Sequence, residues 1–337
     1  MAALVHAKLR SKGIELKLGG DVIGFETVND EIKVILKDDQ PLTADMVLLA
    51  IGVVPESSLA KESGLELGIK GAIIVNDKME TSAEGIYAVG DAVQVKHRVT
   101  GMDAVISLAG PANKQGRIAA DNICGYDSHY KGSMGSSVIK LFDMTAASTG
   151  LTEKAAKTAG INCDRIVLSP SSHAGYYPDA TSTFYKLLFN NEGKILGAQA
   201  VGYDGVEKRI DVIASVMRNQ GTIQELLDSE LCYAPPYSSA KDSVNILGMC
   251  ADNILKGLVK PAYYEDIVGS YIVDVRIPES YNIKTINGAK NIPLAQLRER
   301  INEIPKDKKV ILVCNTGYTS YVASRILIQN GYNNVYS

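Results

Sequence analysis

Thr81-Ser82-Ala83-Glu84-Gly85-Ile86-Tyr87-Ala88-Val89-Gly90-Asp91-Ala92 sets a short apolar run directly before a Gly-Asp pair. In an open α/β sheet, ligands bind beyond the carboxyl ends of the strands. A glycine there lets backbone come close to a ligand, and the next aspartate can accept hydrogen bonds from sugar-type hydroxyls. Taken alone, Gly90-Asp91 reads first as a turn with a solvated carboxylate. Upstream, Met46–Ile51 is a continuous apolar run closed by Gly52 and then Pro55, the pattern of a strand buried on both faces. Downstream, Asp103–Ile123 reads as one helix with Gly110-Pro111 in its first turns.

The rest of the chain alternates strand and helix signals. Residues 2–12 are predicted helical, with Gly13 at the left-handed stop. Ile14–Leu18 alternates like a strand, and Val22–Thr27 with Glu31–Leu36 forms a hairpin around Asn29-Asp30. After a Gly/Ser-rich stretch at 132–137, Thr183–Phe189 and Lys194–Val201 are strands about the turn Asn191-Glu192-Gly193. Lys208–Asn219 is an amphipathic helix and Ile223–Asp228 a shorter one. Residues 256–266 read as a linker or joining helix. From Tyr271 the order strand, loop, helix, strand, loop, helix fits a small α/β unit.

Composition narrows the class. The 337 residues are 46% hydrophobic and 22% charged with a net charge of −3, which offers no basic field to nucleic acid or membrane headgroups. No apolar run reaches the roughly 20 residues that span a bilayer, and the first residues are too mixed for a signal peptide. The expected location is cytoplasmic. Cys124, Cys163, Cys232, Cys250 and Cys314 lie far apart with no CxxC, so neither a zinc knuckle nor a thioredoxin-type dithiol is indicated. Each reads as a small buried apolar residue unless its surroundings say otherwise. Cys314 is the exception. It ends the strand Lys309–Val313 and opens Cys314-Asn315-Thr316-Gly317-Tyr318-Thr319-Ser320 before a helix, where backbone N–H groups and the helix dipole favour thiolate.

The Thr81–Ala92 segment resembles the second flavin motif of the two-dinucleotide-binding-domain, pyridine nucleotide-disulfide reductases. Leu48-Leu49-Ala50-Ile51-Gly52-Val53-Val54-Pro55 resembles the strand before it. The resemblance implies FAD at Gly90, Asp91 and Ala92, with Asp91 on the ribityl chain, and Ala109 in the helix start aimed at the flavin ring. Leu231-Cys232-Tyr233-Ala234-Pro235-Pro236-Tyr237-Ser238-Ser239-Ala240-Lys241-Asp242 is similar to the interface-domain signature of coenzyme A-disulfide reductases and their polysulfide-reducing relatives. It implies a homodimer in which Tyr233 reaches the flavin site of the other subunit, Lys241 meets coenzyme A phosphates and Tyr237 contacts substrate. Tyr177, in His173-Ala174-Gly175-Tyr176-Tyr177-Pro178, resembles a second tyrosine near the disulfide, and Asn113 falls where some relatives place a substrate-contacting histidine. Read without the resemblance, the tyrosines are half-buried aromatics with bonded hydroxyls and Lys241 is a solvated cation.

Ile272-Val273-Asp274-Val275-Arg276, Glu279 and Gly288-Ala289-Lys290-Asn291-Ile292-Pro293 resemble the rhodanese pattern, which implies a persulfide carried on Cys314. Thr319 stands where many active members have arginine, and Lys284-Thr285 replaces the usual Gly-His. The expected fold is thus α/β and α+β, multidomain. Residues 1–78 form the latter part of an NAD(P)H-binding domain and 79–130 the C-terminal part of an FAD-binding domain. Residues 131–255 form an α+β interface domain, 256–264 a linker and 265–337 an incomplete rhodanese-like domain.

No GxGxxG occurs in the chain, so the expectation is a partial reductase that begins after both dinucleotide fingerprints and the flavin-facing redox cysteine. Such a chain would not reduce a disulfide by itself. The leading reading is an FAD- and NAD(P)H-dependent lineage acting on coenzyme A disulfide, persulfide or polysulfide. The alternatives are a sulfur carrier acting through Cys314 only, and a non-catalytic remnant.

Overall fold

Asn29 and Asp30 both take left-handed backbone, with φ of 51° and 63°, so the two-residue turn matches the right-handed twist of its flanking strands. In the computed structural model, which describes residues 1–337, those strands are β1 (Val22–Val28) and β2 (Glu31–Leu36). The chain divides into two units, Ala2–Ser133 and Met134–Ser337.

In the first unit, α1 (Ala2–Ser11) ends before Gly13 at φ +79° as expected. The strand β3 (Leu42–Ala44) joins β2 antiparallel to give the order β1-β2-β3. Three expected strands are absent, the third being Ile86–Val89. Ile14–Leu18 has no ladder, and Met46–Ile51 is irregular and open, with Leu48 86% and Ile51 90% exposed. A strand of the latter kind needs neighbouring strands for its backbone and packed layers for both faces, and nothing among the 337 residues supplies them. Ile51→Asp is therefore expected to cost less than about 0.5 kcal/mol in urea unfolding; a cost near 3 kcal/mol would show the segment buried.

Further along lie α2 (Ser58–Glu62), β4 (Ile73–Ile74), β5 (Val93–Lys96) and β6 (Asp103–Ala104), the three strands forming a sheet in that order. Ile86–Val89, expected as a strand, makes only a bridge from Tyr87 to Glu80. The helix α3 spans Ala109–Ile123. It starts six residues later than expected because Asp103 and Ala104 pair with β5 instead. Pro111 is tolerated in the first turn, where its missing N–H has no partner to lose. Met79, Val93, Val95, Ala119 and Tyr130 form the buried core here.

The second unit opens with an antiparallel sheet of β7 (Ser137–Leu141), β8 (Met144–Gly150), β9 (Asp164–Leu168), β10 (Phe184–Phe189) and β11 (Ile195–Gly202), ordered β7-β8-β11-β10-β9. The short helix α4 (Glu153–Thr158) links β8 to β9, and α5 (Val206–Arg218) packs over β8 and β11. α6 (Ile223–Asp228) starts at a Thr222–Glu225 capping box and lies against α7 (Ser243–Leu255). The chain just after β8 can lie close over β11 because Gly197 is there: a Cβ would stand 2.1 Å from the Leu151 carbonyl oxygen. α7 and the strands β7 to β9 gave no clear signal in the sequence. Their apolar residues are diluted by Ser, Thr, Ala and Gly, so neither period stands out.

A second sheet, parallel and ordered β13-β12-β14-β15, closes the chain. Its strands are β12 (Tyr271–Asp274), β13 (Lys290–Asn291), β14 (Val310–Val313) and β15 (Val335–Tyr336), with α8 (Pro278–Ile283) and α9 (Tyr318–Gln329) between them. Its core gathers Val273, Ile292, Leu297, Leu312, Ala323 and Leu327. The connecting segment is tied to the first sheet. Arg165 lies 4.0 Å over the Tyr263 ring and pairs with Glu265, while Tyr263 Oη donates to the Arg165 carbonyl at 3.0 Å.

Candidate functional site

β14 delivers Cys314 to the edge of the parallel sheet, and the next three residues curl back around its sulfur. Gly317 makes this possible with φ of +91°, a backbone that β-carbon-bearing residues rarely adopt. Its N–H donates to Cys314 Sγ at 3.1 Å. The Cys314 thiol meets Ser320 Oγ at 3.3 Å, and that hydroxyl also receives Ser337 Oγ at 2.8 Å. Burial of this half-buried sulfur pushes its pKa up, but hydrogen bonds from the Ser320 and Thr319 side chains and the loop backbone outweigh it. The thiol is held below its ordinary value, as a nucleophilic or sulfur-carrying cysteine requires.

Of the two departures from the rhodanese pattern, Lys284-Thr285 is tied into the base of this loop. Arg276 Nη1 donates to Asn315 Oδ1 at 3.0 Å, bracing the Cys314 loop from behind, and its Nη2 donates to the Lys284 carbonyl at 2.7 Å. Thr285 Oγ1 donates to Asp274 at 2.8 Å. Asp274 is fully buried and takes Arg276 Nη2 at 2.5 Å. Burial pushes this carboxyl up, yet the Arg276 guanidinium and backbone amide beside it hold it below the usual range. Arg276 is the positioning residue that the sequence reading did not single out; its signal was the buried-type Asp two residues earlier.

The interface-domain signature folds around a buried cation. Arg209, 1% exposed, donates from Nε and Nη2 to Asp242 at 3.1–3.3 Å, from Nη2 to the Ser172 carbonyl at 2.7 Å and from Nη1 to the Gly205 carbonyl at 3.1 Å. Asp242 also accepts from Ser238 Oγ at 2.5 Å and caps α7 through Val244 N–H at 3.0 Å. The loop at 171–182 is thereby fixed to the segment 233–241. Tyrosines of the two segments meet. Tyr176 Oη lies 3.3 Å from Tyr233 Oη, while Tyr177 stands edge-on to His173 with ring centroids 5.9 Å apart. The Tyr176 hydrogen bond raises the Tyr233 phenol above its usual pKa. Tyr237 is 70% exposed, and Lys241 is exposed with no ion-pair partner.

In the other unit, Gly90–Ala92 form a single tight turn, with Gly90 at φ +84° and its N–H donating to the buried Gln115 Oε1 at 2.7 Å. A Cβ on Gly90 would sit 4.0 Å from Ala112 Cβ, so α3 begins beside this turn. The Asp91 carboxylate is exposed and engages no protein donor. That fits a group left to accept from ribityl hydroxyls, and the amides of Ala109 and Gly110 at the start of α3 fit the electron-rich edge of a flavin ring. Asn113 is spent locally, its Nδ2 donating to the Ala109 carbonyl at 2.9 Å. No GxGxxG turn is present to hold a dinucleotide pyrophosphate.

Three family models match in succession: pyridine nucleotide-disulphide oxidoreductase over residues 1–116, its dimerisation domain over 136–244, and a rhodanese-like domain over 260–337. The NAD(P)H sulfur oxidoreductase (CoA-dependent) of Pyrococcus abyssi is 35% identical over 243 residues, covering 72% of this chain and 52% of that protein. A coenzyme A disulfide reductase of Staphylococcus aureus is 37% identical over 206 residues, covering 60% and 47%. Among solved structures, reduced Bacillus anthracis CoADR-RHD superposes with a TM-score of 0.96 at 47% identity, covering all of this chain and 61% of that one. An NAD-dependent persulfide reductase from A. fulgidus gives 0.92 at 37%, covering 100% and 62%. The chain spans about half the length of the sequence relatives it matches. No helix is long and apolar enough to cross a membrane. In its successive domains and its relatives alike, the chain belongs to the pyridine nucleotide-disulphide oxidoreductases of the coenzyme A-disulfide reductase type that carry a rhodanese-like domain.

Proposed function

We propose that these residues serve a cytoplasmic, homodimeric reductase of coenzyme A disulfide, persulfide or polysulfide, with Cys314 carrying the sulfane sulfur. The hydrogen-bond cradle that holds the Cys314 sulfur carries this reading, because it stabilises the negative charge that both thiolate and persulfide bear. A donor's sulfane sulfur is attacked by Cys314 Sγ, the donor's S–S bond breaks, and the donor leaves with the electron pair as thiolate or sulfite. An acceptor thiolate then attacks the terminal sulfur, the Cys314 Sγ–S bond breaks, and Cys314 keeps that electron pair as thiolate. Gly317 N–H and Ser320 Oγ donate to the charged sulfur at each stage.

We assign the domains as residues 1–78, 79–130, 131–255 and 265–337, joined before the last by 256–264. Tyr233 and Tyr177 then belong to the disulfide site, with Tyr176 hydrogen-bonded to Tyr233. Lys241 and Tyr237 serve the substrate, and Asn113 stands near it. Gly90, Asp91, Ala92 and Ala109 face FAD, and the dimer brings Tyr233 to the partner's flavin. Electron transfer from NAD(P)H to the sulfur substrate is the chemistry FAD supplies when bound.

Two measurements test the two halves. Intact mass after treatment with thiosulfate is expected to show one added sulfur, discharged by cyanide and absent in Cys314→Ala. An unmodified wild-type chain would sink the sulfur-carrier half. Visible absorption after incubation with FAD and desalting reads the other half: retained flavin that is lost in Asp91→Ala supports it, and flavin held equally by both proteins refutes the Asp91 role.

A further inference from the structure

Tyr176 is 78% exposed and Tyr233 47%, so neither ring is packed firmly enough to fix where its hydroxyl lies. Their Oη–Oη contact of 3.3 Å is long beside the usual spacing of about 2.7–2.8 Å between hydroxyls, and a small drift of the loop would break it. The backbone that carries Tyr176 therefore decides whether the pair forms. Tyr176 is the third residue of a β-turn in which Tyr177 N–H donates to the Ala174 carbonyl at 2.9 Å. The chain enters this turn through Ala174, whose N–H donates at 3.0 Å to the carbonyl of Ser238, in the segment that bears Tyr233. It leaves through Pro178, which has no N–H by which to be held, and Asp179 follows in left-handed backbone at φ 65°. His173, 5% exposed, holds this exit: its Nε2 lies 3.0 Å from the Pro178 carbonyl oxygen, and its ring takes the edge-on Tyr177.

We propose that His173 is the positioning residue of the Tyr176–Tyr233 pair, its Nε2–H fixing the turn that brings the two hydroxyls together. The inference rests on the reading of Tyr233 as part of the disulfide site and adds the residue on which the pair's geometry depends. The protonation follows from the partners. A carbonyl oxygen only accepts, so Nε2 carries the hydrogen. Thr181 N–H donates to Ser172 Oγ at 3.2 Å, which leaves the Ser172 hydroxyl hydrogen for His173 Nδ1 at 3.1 Å. Asp204, ahead of α5, lies 3.5 Å from the same nitrogen and is the partner there for a charged ring. Nε2 keeps its hydrogen in both charge states, so the Pro178 bond does not depend on ionisation. Two hydroxyls bring two hydrogens, and the contact between the tyrosines uses one. The other can donate to a thiolate formed at the site, which is what holding the pair together achieves.

The test uses the whole chain, labelled for NMR at the tyrosine Cζ and the imidazole nitrogens. Tyr233 is identified by the signal missing from Tyr233→Phe, and His173 by the one missing from His173→Gln. The Tyr176 hydrogen bond raises the Tyr233 phenol, so its titration midpoint reports the contact. His173→Phe fills the site and keeps a ring against Tyr177 but offers no donor. The midpoint is expected to fall in it as far as it does in Tyr176→Phe. His173→Gln, whose amide nitrogen can stand where Nε2 stood, should hold the midpoint at the wild-type value. Combining His173→Phe with Tyr176→Phe should add nothing, since His173 acts through Tyr176. In the wild-type chain in alkaline buffer, the neutral ring should be the Nε2–H tautomer.

A midpoint unmoved by His173→Phe, a further drop in the double variant, a glutamine variant that falls as far as the phenylalanine one, or an Nδ1–H ring in the wild type would each overturn the proposal. The tautomer and the glutamine variant decide the matter even if His173→Phe does not fold. Because the readout is the phenol pair itself, a chain that reduces no disulfide would leave it standing, so the two readings fail separately.

Discussion

Cys314→Ala is expected to abolish thiocyanate formation from thiosulfate and cyanide, a loss of at least about 10³-fold, since no other group can take over a removed covalent nucleophile. The other four cysteines offer no rescue from a comparable environment. Burial raises Cys250 and Cys163 without any compensating cradle, and Cys124 and Cys232 are simply exposed. Around Cys314, in contrast, hydrogen bonds outweigh burial and lower the thiol. Its alkylation should therefore reach half-maximal rate at a pH below that of a free thiol, near 8.5. Ser320→Ala removes one donor worth about 1 kcal/mol. It should move that midpoint upward and cut the rate at pH 7 roughly fivefold. A Cys314→Ala variant that still forms thiocyanate, or a Ser320→Ala variant with an unmoved midpoint, would refute the assignment.

Arg209→Met is expected to lower the unfolding free energy by about 3–5 kcal/mol, the cost of leaving a buried partner charge uncompensated. The methionine fills similar space but leaves the Asp242 carboxylate, the Ser172 carbonyl and the Gly205 carbonyl without their donor. Adding Asp242→Asn removes the stranded charge while its side-chain oxygen still caps α7. The double variant should thus be more stable than Arg209→Met alone; urea unfolding showing the opposite would mean that the pair is not what holds the segment. The pH dependence follows from the same pair. Burial pushes Asp242 up, but Ser238, the Val244 amide and Arg209 together hold it below the ordinary range. A depressed folded pKa means that its stabilisation is complete above the unfolded value, about 3.9, and drains away as pH falls through the lower folded one. Arg209→Met should flatten this acid limb. Because Arg209 also fixes the backbone next to His173 and at Tyr237, its loss is expected to loosen the Tyr176–Tyr233 contact as well.

Several local features were legible from short stretches because their causes are local. The Asn29-Asp30 hairpin, the Gly193 hairpin, the Ile223–Asp228 helix and the strand before Cys314 each depend on turn chemistry or periodicity within about ten residues. The Cys314 cradle was legible for the same reason: a cysteine, two intervening residues and a glycine before a helix bring backbone N–H to sulfur without outside help. Met46–Ile51 fails at the next level. Its apolar run says what the segment would bury, not what would bury it, and none of the 337 residues packs over Leu48 or Ile51. The Tyr176–Tyr233 contact was equally out of reach, because adjacent residues in a loop point in different directions and only the packing brings one of them to a residue far along the chain.

The amino-acid sequence by itself determined the order of the Gly90-Asp91 turn, the interface segment and the Cys314 loop, and it determined that backbone N–H would meet the Cys314 sulfur, since these rest on contacts between near neighbours. Only the tertiary structure decided that Arg209 fixes Ser172 to Asp242, that Arg276 braces Asn315, and that β9 and α7 wall the Cys314 loop. Those contacts join residues up to about 150 positions apart, and chain spacing carries no information about them until burial has forced the partners together.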